Sequence, residues 1–335
     1  MNMMPNWRLA GAAVALSAAL AGSAAAETTW DLYAFTGVTH PITVRYQMFA
    51  DEVAAATDGE LKIIVRPAGE LPFKATEVVK ATSSGQVQLA AAYQGFISGA
   101  VPVASITSLP FLVQNADQLE QIAPKLIAAA DAEFGKQGVR TLFWHTWPVQ
   151  NIYGRGEPIR SLADFKGRKI RSTDGKQAEM LKQLGASSIS LTTAEVPVAV
   201  ERGVADGYIT AAFNVVGAKW QEFTDWAWLC EVHIGGPSYL LMNIDAYNAL
   251  PDNVRAKLDE VAKSFGPKFR ALNLADEKTA LESLEKEHGV TMVKPSDAEI
   301  AELIDRMTPY WETWANQNGD AAVKLLADVR AELGK

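Results

Sequence analysis

Asp164-Phe-Lys-Gly-Arg-Lys-Ile-Arg171 is the stretch that decides the reading of this chain. A turn leads into a short apolar strand, and the strand delivers an arginine at its end. A guanidinium in that position presents two parallel N–H donors in the fork that a carboxylate fits. Downstream, Leu184-Gly-Ala186, Glu195-Val196 and Gly203-Val-Ala-Asp-Gly207 follow at regular intervals. Asp174 to Leu184 has the apolar spacing of an amphipathic helix, Ser187 to Leu191 reads as a strand, and Thr193 to Arg202 as a helix. Thr192 with Glu195 forms a capping box at that helix's start.

Upstream, Trp30 to Phe35 alternates like a strand, and Thr39-His40-Pro41 opens a helix with Tyr46, Phe49 and Val53 on one face. Asp58-Gly59 ends it, and Leu61 to Val65 is a second strand, so the chain begins with a βαβ unit and a parallel sheet. Thr76 to Ser84 reads as a helix and Val87 to Ala92 as a buried strand. Ser108-Leu-Pro-Phe-Leu112 reads as a proline-marked helix entry. Arg140 to Trp144 is a strand, and another starts at Asn151 to Tyr153 after Pro148. Two crossovers between lobes are expected, near residues 148–154 and 234–238, with Ser238 to Asn243 a strand returning to the first lobe. Asp252 to His288 is helical for roughly 37 residues, interrupted at Gly266-Pro267, and spans about 50 Å, enough to run along both lobes with a kink. Ser296 with Glu299 caps a further helix. Trp311, Trp314, Leu325 and Leu326 pack the C-terminal end.

Composition narrows the function. Residues 1–26 carry one basic residue, Arg8, then an uncharged apolar run and Ala24-Ala25-Ala26, the pattern of an export signal cleaved after Ala26. The apolar run, roughly 14 residues, is too short for a bilayer-spanning helix. Removal of residues 1–26, with Arg8, takes the net charge from −8 to about −9 with no basic cluster left, which makes nucleic acid and anionic membrane poor partners. The single cysteine, Cys230, has no internal partner and reads as a small buried hydrophobe. No nucleophile elbow, phosphate-binding glycine loop, metalloprotease helix or Cys-x-x-Cys pair occurs, and the four histidines are widely separated. No catalytic residue, metal site or cofactor is expected.

The order of these motifs, with Phe49-Ala-Asp-Glu-Val, Thr57-Asp-Gly59, Pro67-Ala-Gly-Glu-Leu71 and Leu109-Pro110-Phe111, resembles the solute receptors of tripartite ATP-independent periplasmic (TRAP) transporters over nearly all of the chain after residue 26. The resemblance implies an α/β, two-lobed periplasmic binding protein fold. Each lobe is expected to be a mixed, mostly parallel sheet flanked by helices, with one long helix along both. The expected division is a signal peptide 1–26, lobe I 27–150 with 236–265 returning to it, lobe II 151–235 with part of 266–310, and C-terminal helices 311–335 packed on the lobes. It implies a monomeric receptor that takes a small organic acid and delivers it to a small and a large membrane subunit. A ligand sensor feeding a kinase or chemoreceptor is the first rival reading, and a periplasmic enzyme the second.

Candidate ligand residues follow. Arg171 stands at the position where the family holds the substrate carboxylate, and Arg155 where it often places a second basic residue. Tyr93 and Gln94 lie at the carboxyl edge of a strand, where open α/β sheets bind ligands, and His40 lies in a corresponding strand-to-helix loop. Relatives carry an asparagine at the position of Thr210, so the second carboxylate contact passes to Thr210 or to nearby Asn214, with Tyr208 and Phe213 alongside. A further departure is Thr193, where many relatives have an aromatic residue. Trp147 is the tryptophan expected to line the cleft, and His233 matches a position near the second crossover where some relatives have a histidine. The aromatic supply favours an aromatic, 2-hydroxy or 2-oxo acid.

Overall fold

The structure, a computed structural model, describes Met1 and residues 27–335; the expected signal segment otherwise lies outside the described residues. The first strand, β1 (Thr28–Tyr33), leads into helix α1 (Pro41–Ala56) and returns as β2 (Leu61–Arg66), paired parallel to β1. α1 starts where His40 caps it, with Pro41 at its first turn, where the missing N–H breaks no bond. Next come α2 (Val78–Ser83), β3 (Leu89–Tyr93), α3 (Ala116–Gly135) and β4 (Val139–Gly154). The segment from β5 (Lys169–Ser172) through α4 (Gly175–Gln183), β6 (Ser187–Ser190), α5 (Val196–Glu201), β7 (Gly207–Thr210) and α6 (Ala212–Gly217) repeats the alternation of strand and helix. It closes with β8 (Trp226–Asn243), α7 (Ile244–Asn248), α8 (Asp252–Lys286), β9 (Thr291–Val293), α9 (Asp297–Gln317) and α10 (Asp320–Leu333).

The nine strands among the described residues belong to one sheet, in the order β2-β1-β3-β8-β4-β7-β5-β6, with β9 on β8. The outer pairings are parallel, whereas β3–β8, β4–β8 and β4–β7 are antiparallel. The long pair β4–β8 carries the chain through both halves, from Val139 opposite Asn243 to Gly154 opposite Trp226. Residues 148–154 and 234–238, where crossovers between lobes are expected, therefore lie inside continuous strands instead of between short ones. Pro148 suggested a break, but it sits in a bulge between Trp147 and Val149, a place where a strand tolerates a missing N–H. Further register shifts between Thr141 and Ile152 bend the ladder without ending it.

One other expectation is corrected, and the expected long helix forms nearly as read. Ser108 to Leu112 does not enter a helix: a 3₁₀ turn, Pro102–Ser108, ends there, Phe111 takes φ of 65°, and α3 begins only after Asn115 caps it. A left-handed residue cannot continue a right-handed helix. The stretch 252–286 is one helix with Pro267 inside it. Gly266 lets it approach β4 closely, since a Cβ there would lie 3.3 Å from the Trp144 carbonyl oxygen. Under that contact, Phe49, Phe143, Phe265 and Phe269 form an aromatic core joining α1, β4 and α8, and His145 stacks on Phe269 at 4.1 Å. The capping boxes at Thr192 and Ser296 form as their spacing predicts. Helix α9 bridges the two halves: Glu299 accepts the Leu162 N–H, and Trp311 donates to the Pro110 carbonyl.

Candidate ligand site

The carboxyl ends of β1 and β3 on one side, and of β5 and β7 on the other, point at each other across the bent middle of β4. That is the switch point at which α/β sheets bind small molecules. A small cavity, with about 10 Å³ of free space, lies there, lined by Phe35, Tyr93, Phe96, Trp147, Gln150, Arg171, Thr173, Thr193 and Thr210. That is room for about one water, far below the roughly 300–1,000 Å³ of ligand pockets, so a ligand is admitted only as the walls part.

Arg171 is its only lining residue with a permanent charge, and it is 2% exposed. Nε donates to the Leu191 carbonyl and Nη1 to the Ile209 carbonyl, each at 2.9 Å, so the two neighbouring strands fix the guanidinium plane. Nη2 is buried with no hydrogen-bond partner. A guanidinium has five N–H groups; both on Nη2 and one on Nη1 remain free for a ligand. Desolvation lowers its pKa from 12.5 to about 10. The nearby carboxylates are engaged elsewhere. Asp174 accepts from Lys176 N, Gln177 N and Ser108 Oγ, while Glu195 accepts from Thr192 and Lys74. A buried cation without a counter-charge is costly, and a bound carboxylate would supply one.

Trp147 forms one wall. Its indole touches Phe35, His40, Tyr93 and Phe213, with ring centroids between 4.9 and 5.8 Å, so its orientation is fixed. Its Nε1–H is buried without an acceptor, and the Tyr93 hydroxyl is also unpartnered. Gly235 makes the wall possible, because a Cβ there would lie 2.5 Å from Trp147 Cβ and 2.8 Å from Gln150 Nε2.

Behind Thr210 runs a chain of buried side chains. The Ile42 N–H donates to His40 Nδ1 at 3.1 Å, so the ring proton sits on Nε2 and faces Asn214 Oδ1, also at 3.1 Å. Asn214 Nδ2 then donates to Thr210 Oγ1 at 3.0 Å, leaving the Thr210 O–H free to donate into the cavity. Burial lowers the His40 pKa to about 4, which keeps this neutral tautomer in place. Phe213 and Asn214 belong to α6, whose first N–H groups are held by Glu277 of α8 at 3.0 and 2.8 Å. Burial raises that carboxyl to about 7, against the pull of the two N–H donors.

The sequence candidates therefore divide. Arg171, Tyr93, Trp147 and Thr210 line the cavity. His40, Asn214 and Phe213 back it. Gln94 is packed away from it, accepting from Thr107 and donating to the Ile234 carbonyl at 3.4 Å. Tyr208 is core: its hydroxyl bonds Thr224 and its ring meets Trp220. His233 is buried behind Gln177, and Arg155 is exposed, its backbone bonded to Asp206 and Trp226, neither of which lines the cavity. Phe35, Phe96, Gln150 and Thr173 were not singled out beforehand, although Gln150 and Thr173 flank candidates closely in sequence. Cys230 is buried, and burial pushes its thiol pKa up, so it is not reactive. Among the described residues no cluster of His, Cys, Asp and Glu suits a metal ion, and no helix is long and apolar enough to cross a membrane.

A two-lobed sheet with a buried, unpaired cation at its switch point defines a ligand-capturing receptor. The family model of bacterial extracellular solute-binding protein, family 7 (DctP), matches residues 34–318, and the chain belongs to that family, whose members are periplasmic solute receptors of TRAP transporters. The uncharacterized protein YiiZ of Salmonella typhimurium is 26% identical over 213 residues, 63% of this chain and 64% of that protein, just under two thirds of its length. The C4-dicarboxylate-binding periplasmic protein DctP of Vibrio cholerae is 25% identical over 293 residues, 84% of each chain. A crystal structure of a Bordetella pertussis extracytoplasmic solute receptor binding pyroglutamic acid superposes with a TM-score of 0.84 at 25% identity, covering 90% of this chain and 99% of that one.

Proposed function

We propose that the protein captures a small organic monocarboxylate between its two lobes, with Arg171 as anchor, and hands it to the small and large membrane subunits of a TRAP transporter. The observation that carries this reading is the Arg171 guanidinium, held by two carbonyls and left with an unpartnered buried nitrogen in the cavity. A single lining cation favours one carboxylate over two, since a second would be buried without a counter-charge. The pyroglutamate ligand of the Bordetella pertussis receptor fits the same charge count.

Lobe I then comprises residues 27–150 with 236–265, and lobe II residues 151–235 with part of 266–310, in a chain cleaved after Ala26. The Lys74–Glu195 ion pair, 2.7 Å long, joins the two across the cleft mouth. Ligand favours the closed form because only there do both lobes touch it.

Calorimetry against a panel of mono- and dicarboxylic acids, with small-angle scattering of the free and loaded protein, tests this. A monocarboxylate should bind, be recovered unchanged and make the molecule more compact. Preference for a dicarboxylate, an altered acid or an unchanged scattering profile would each contradict it.

A further inference from the structure

We infer that the pocket reads a hydrogen-bond donor on its ligand, an N–H or O–H carried beside the carboxylate, through Thr173 Oγ1, which a buried relay holds as an acceptor. This rests on the carboxylate-receptor reading above.

The relay is fixed at both ends by backbone. The Thr173 N–H lies 2.8 Å from Gln177 Oε1, and since a backbone amide can only donate, that atom is the carbonyl oxygen. Thr173 Oγ1 is 3.1 Å from the same oxygen, so the hydroxyl hydrogen points at Gln177. Gln177 Nε2 therefore faces His233 Nε2, 2.8 Å away, and donates to it. The remaining ring nitrogen, Nδ1, is 2.7 Å from the Ile234 carbonyl, which accepts its proton. The backbone fixes the Gln177 amide and the His233 tautomer, and both side chains are wholly buried, so water cannot relax them; the Thr173 hydroxyl takes the 3.1 Å bond they offer. Thr173 Oγ1 is thus left with lone pairs only.

Thr210, across the cavity, is polarised the opposite way by the His40–Asn214 chain and offers a proton. With Arg171 Nη2 and Trp147 Nε1 it makes a set of donors for the carboxylate and one further oxygen. Against these donors, Thr173 supplies the acceptor. The complement is a carboxylate whose neighbouring group both accepts and donates, as in a 2-hydroxy acid or a lactam acid. A 2-oxo acid or a lactone acid accepts only, and would leave Thr173 Oγ1 facing another lone pair.

Matched ligand pairs read this directly: lactate against pyruvate, and pyroglutamate against the lactone in which ring oxygen replaces N–H. In the wild-type protein the donor-bearing member of at least one pair should bind about ten- to a hundredfold more tightly. Thr173→Val, which keeps the shape and removes the oxygen, should bring that pair within about threefold by weakening only the donor-bearing member. Gln177→Leu, which frees the hydroxyl to turn, should also shrink the ratio, a change that a purely structural role would not produce. The lactate and pyroglutamate arms separate O–H from N–H recognition. Equal wild-type affinity within both pairs overturns the inference while leaving the carboxylate reading intact; no binding of any carboxylate overturns that reading instead. Selectivity that survives Thr173→Val would move the acceptor to Gln150 and also overturn the assignment.

Discussion

Arg171→Ala separates what the arginine does for the fold from what it does for the ligand. In the empty protein two effects oppose each other. The fall of the Arg171 pKa from 12.5 to about 10, in a side chain with almost no exposed surface to screen it, corresponds to about 3 kcal/mol of unfavourable charge burial. Alanine relieves that penalty but strips donors from the Leu191 and Ile209 carbonyls, at about 1–3 kcal/mol for each acceptor left unpaired. The stability of the ligand-free protein should therefore change by no more than about 3 kcal/mol, because the terms partly cancel. Binding has no such offset. Loss of a charge-assisted contact to a desolvated carboxylate removes about 2–5 kcal/mol, roughly thirty- to several-thousand-fold in affinity. Arg171→Lys keeps the charge but cannot hold both carbonyls and a carboxylate at once, so its affinity should fall between the two. Titration calorimetry gives the affinities, and thermal unfolding with and without acid gives the stabilities. An Arg171→Ala protein that folds normally and binds within about threefold of wild type would refute the anchoring role.

Two further outcomes are expected. Glu277 has a folded-state pKa near 7, above its ordinary 4.5, so its stabilising contribution is full below about 4.5 and disappears as pH rises through 7. The melting temperature should fall by a few degrees over that window in the wild type and stay flatter in Glu277→Gln; parallel curves would show that the carboxyl does not titrate there. Gly235→Ala places a methyl 2.5 Å from Trp147 Cβ, and should destabilise the protein by about 1–3 kcal/mol and weaken ligand binding together, as denaturant titration and calorimetry would show.

Local signals in the sequence carried well into the structure, and long-range ones did not. Capping boxes at Thr192 and Ser296 need residues only three positions apart, and both form. Arg171 was legible because a strand end after a turn fixes where its side chain goes. Tyr208 and Thr210 share a face of β7 by alternation, yet only Thr210 at the strand's end reaches the cavity, a matter of depth that periodicity does not encode. Pro148 read as a break because the bulge that accommodates it depends on the opposite strand. The relays were invisible for a similar reason: His40 and Asn214 are 174 positions apart, and Gln177 and His233 are 56 apart.

The shared β4–β8 ladder has an evolutionary consequence. If closure bends that ladder, its stiffness sets how often the empty receptor visits the capturing shape, and apparent affinity for every ligand scales with that fraction alike. Substitutions in the bent middle that leave Trp147 and Gln150 in place would raise or lower all affinities in proportion, whereas changes at Arg171, Thr173 or Thr210 would reorder them. Sensitivity and choice of nutrient are then set by different residues, so a lineage can retune one for scarcity without disturbing the other.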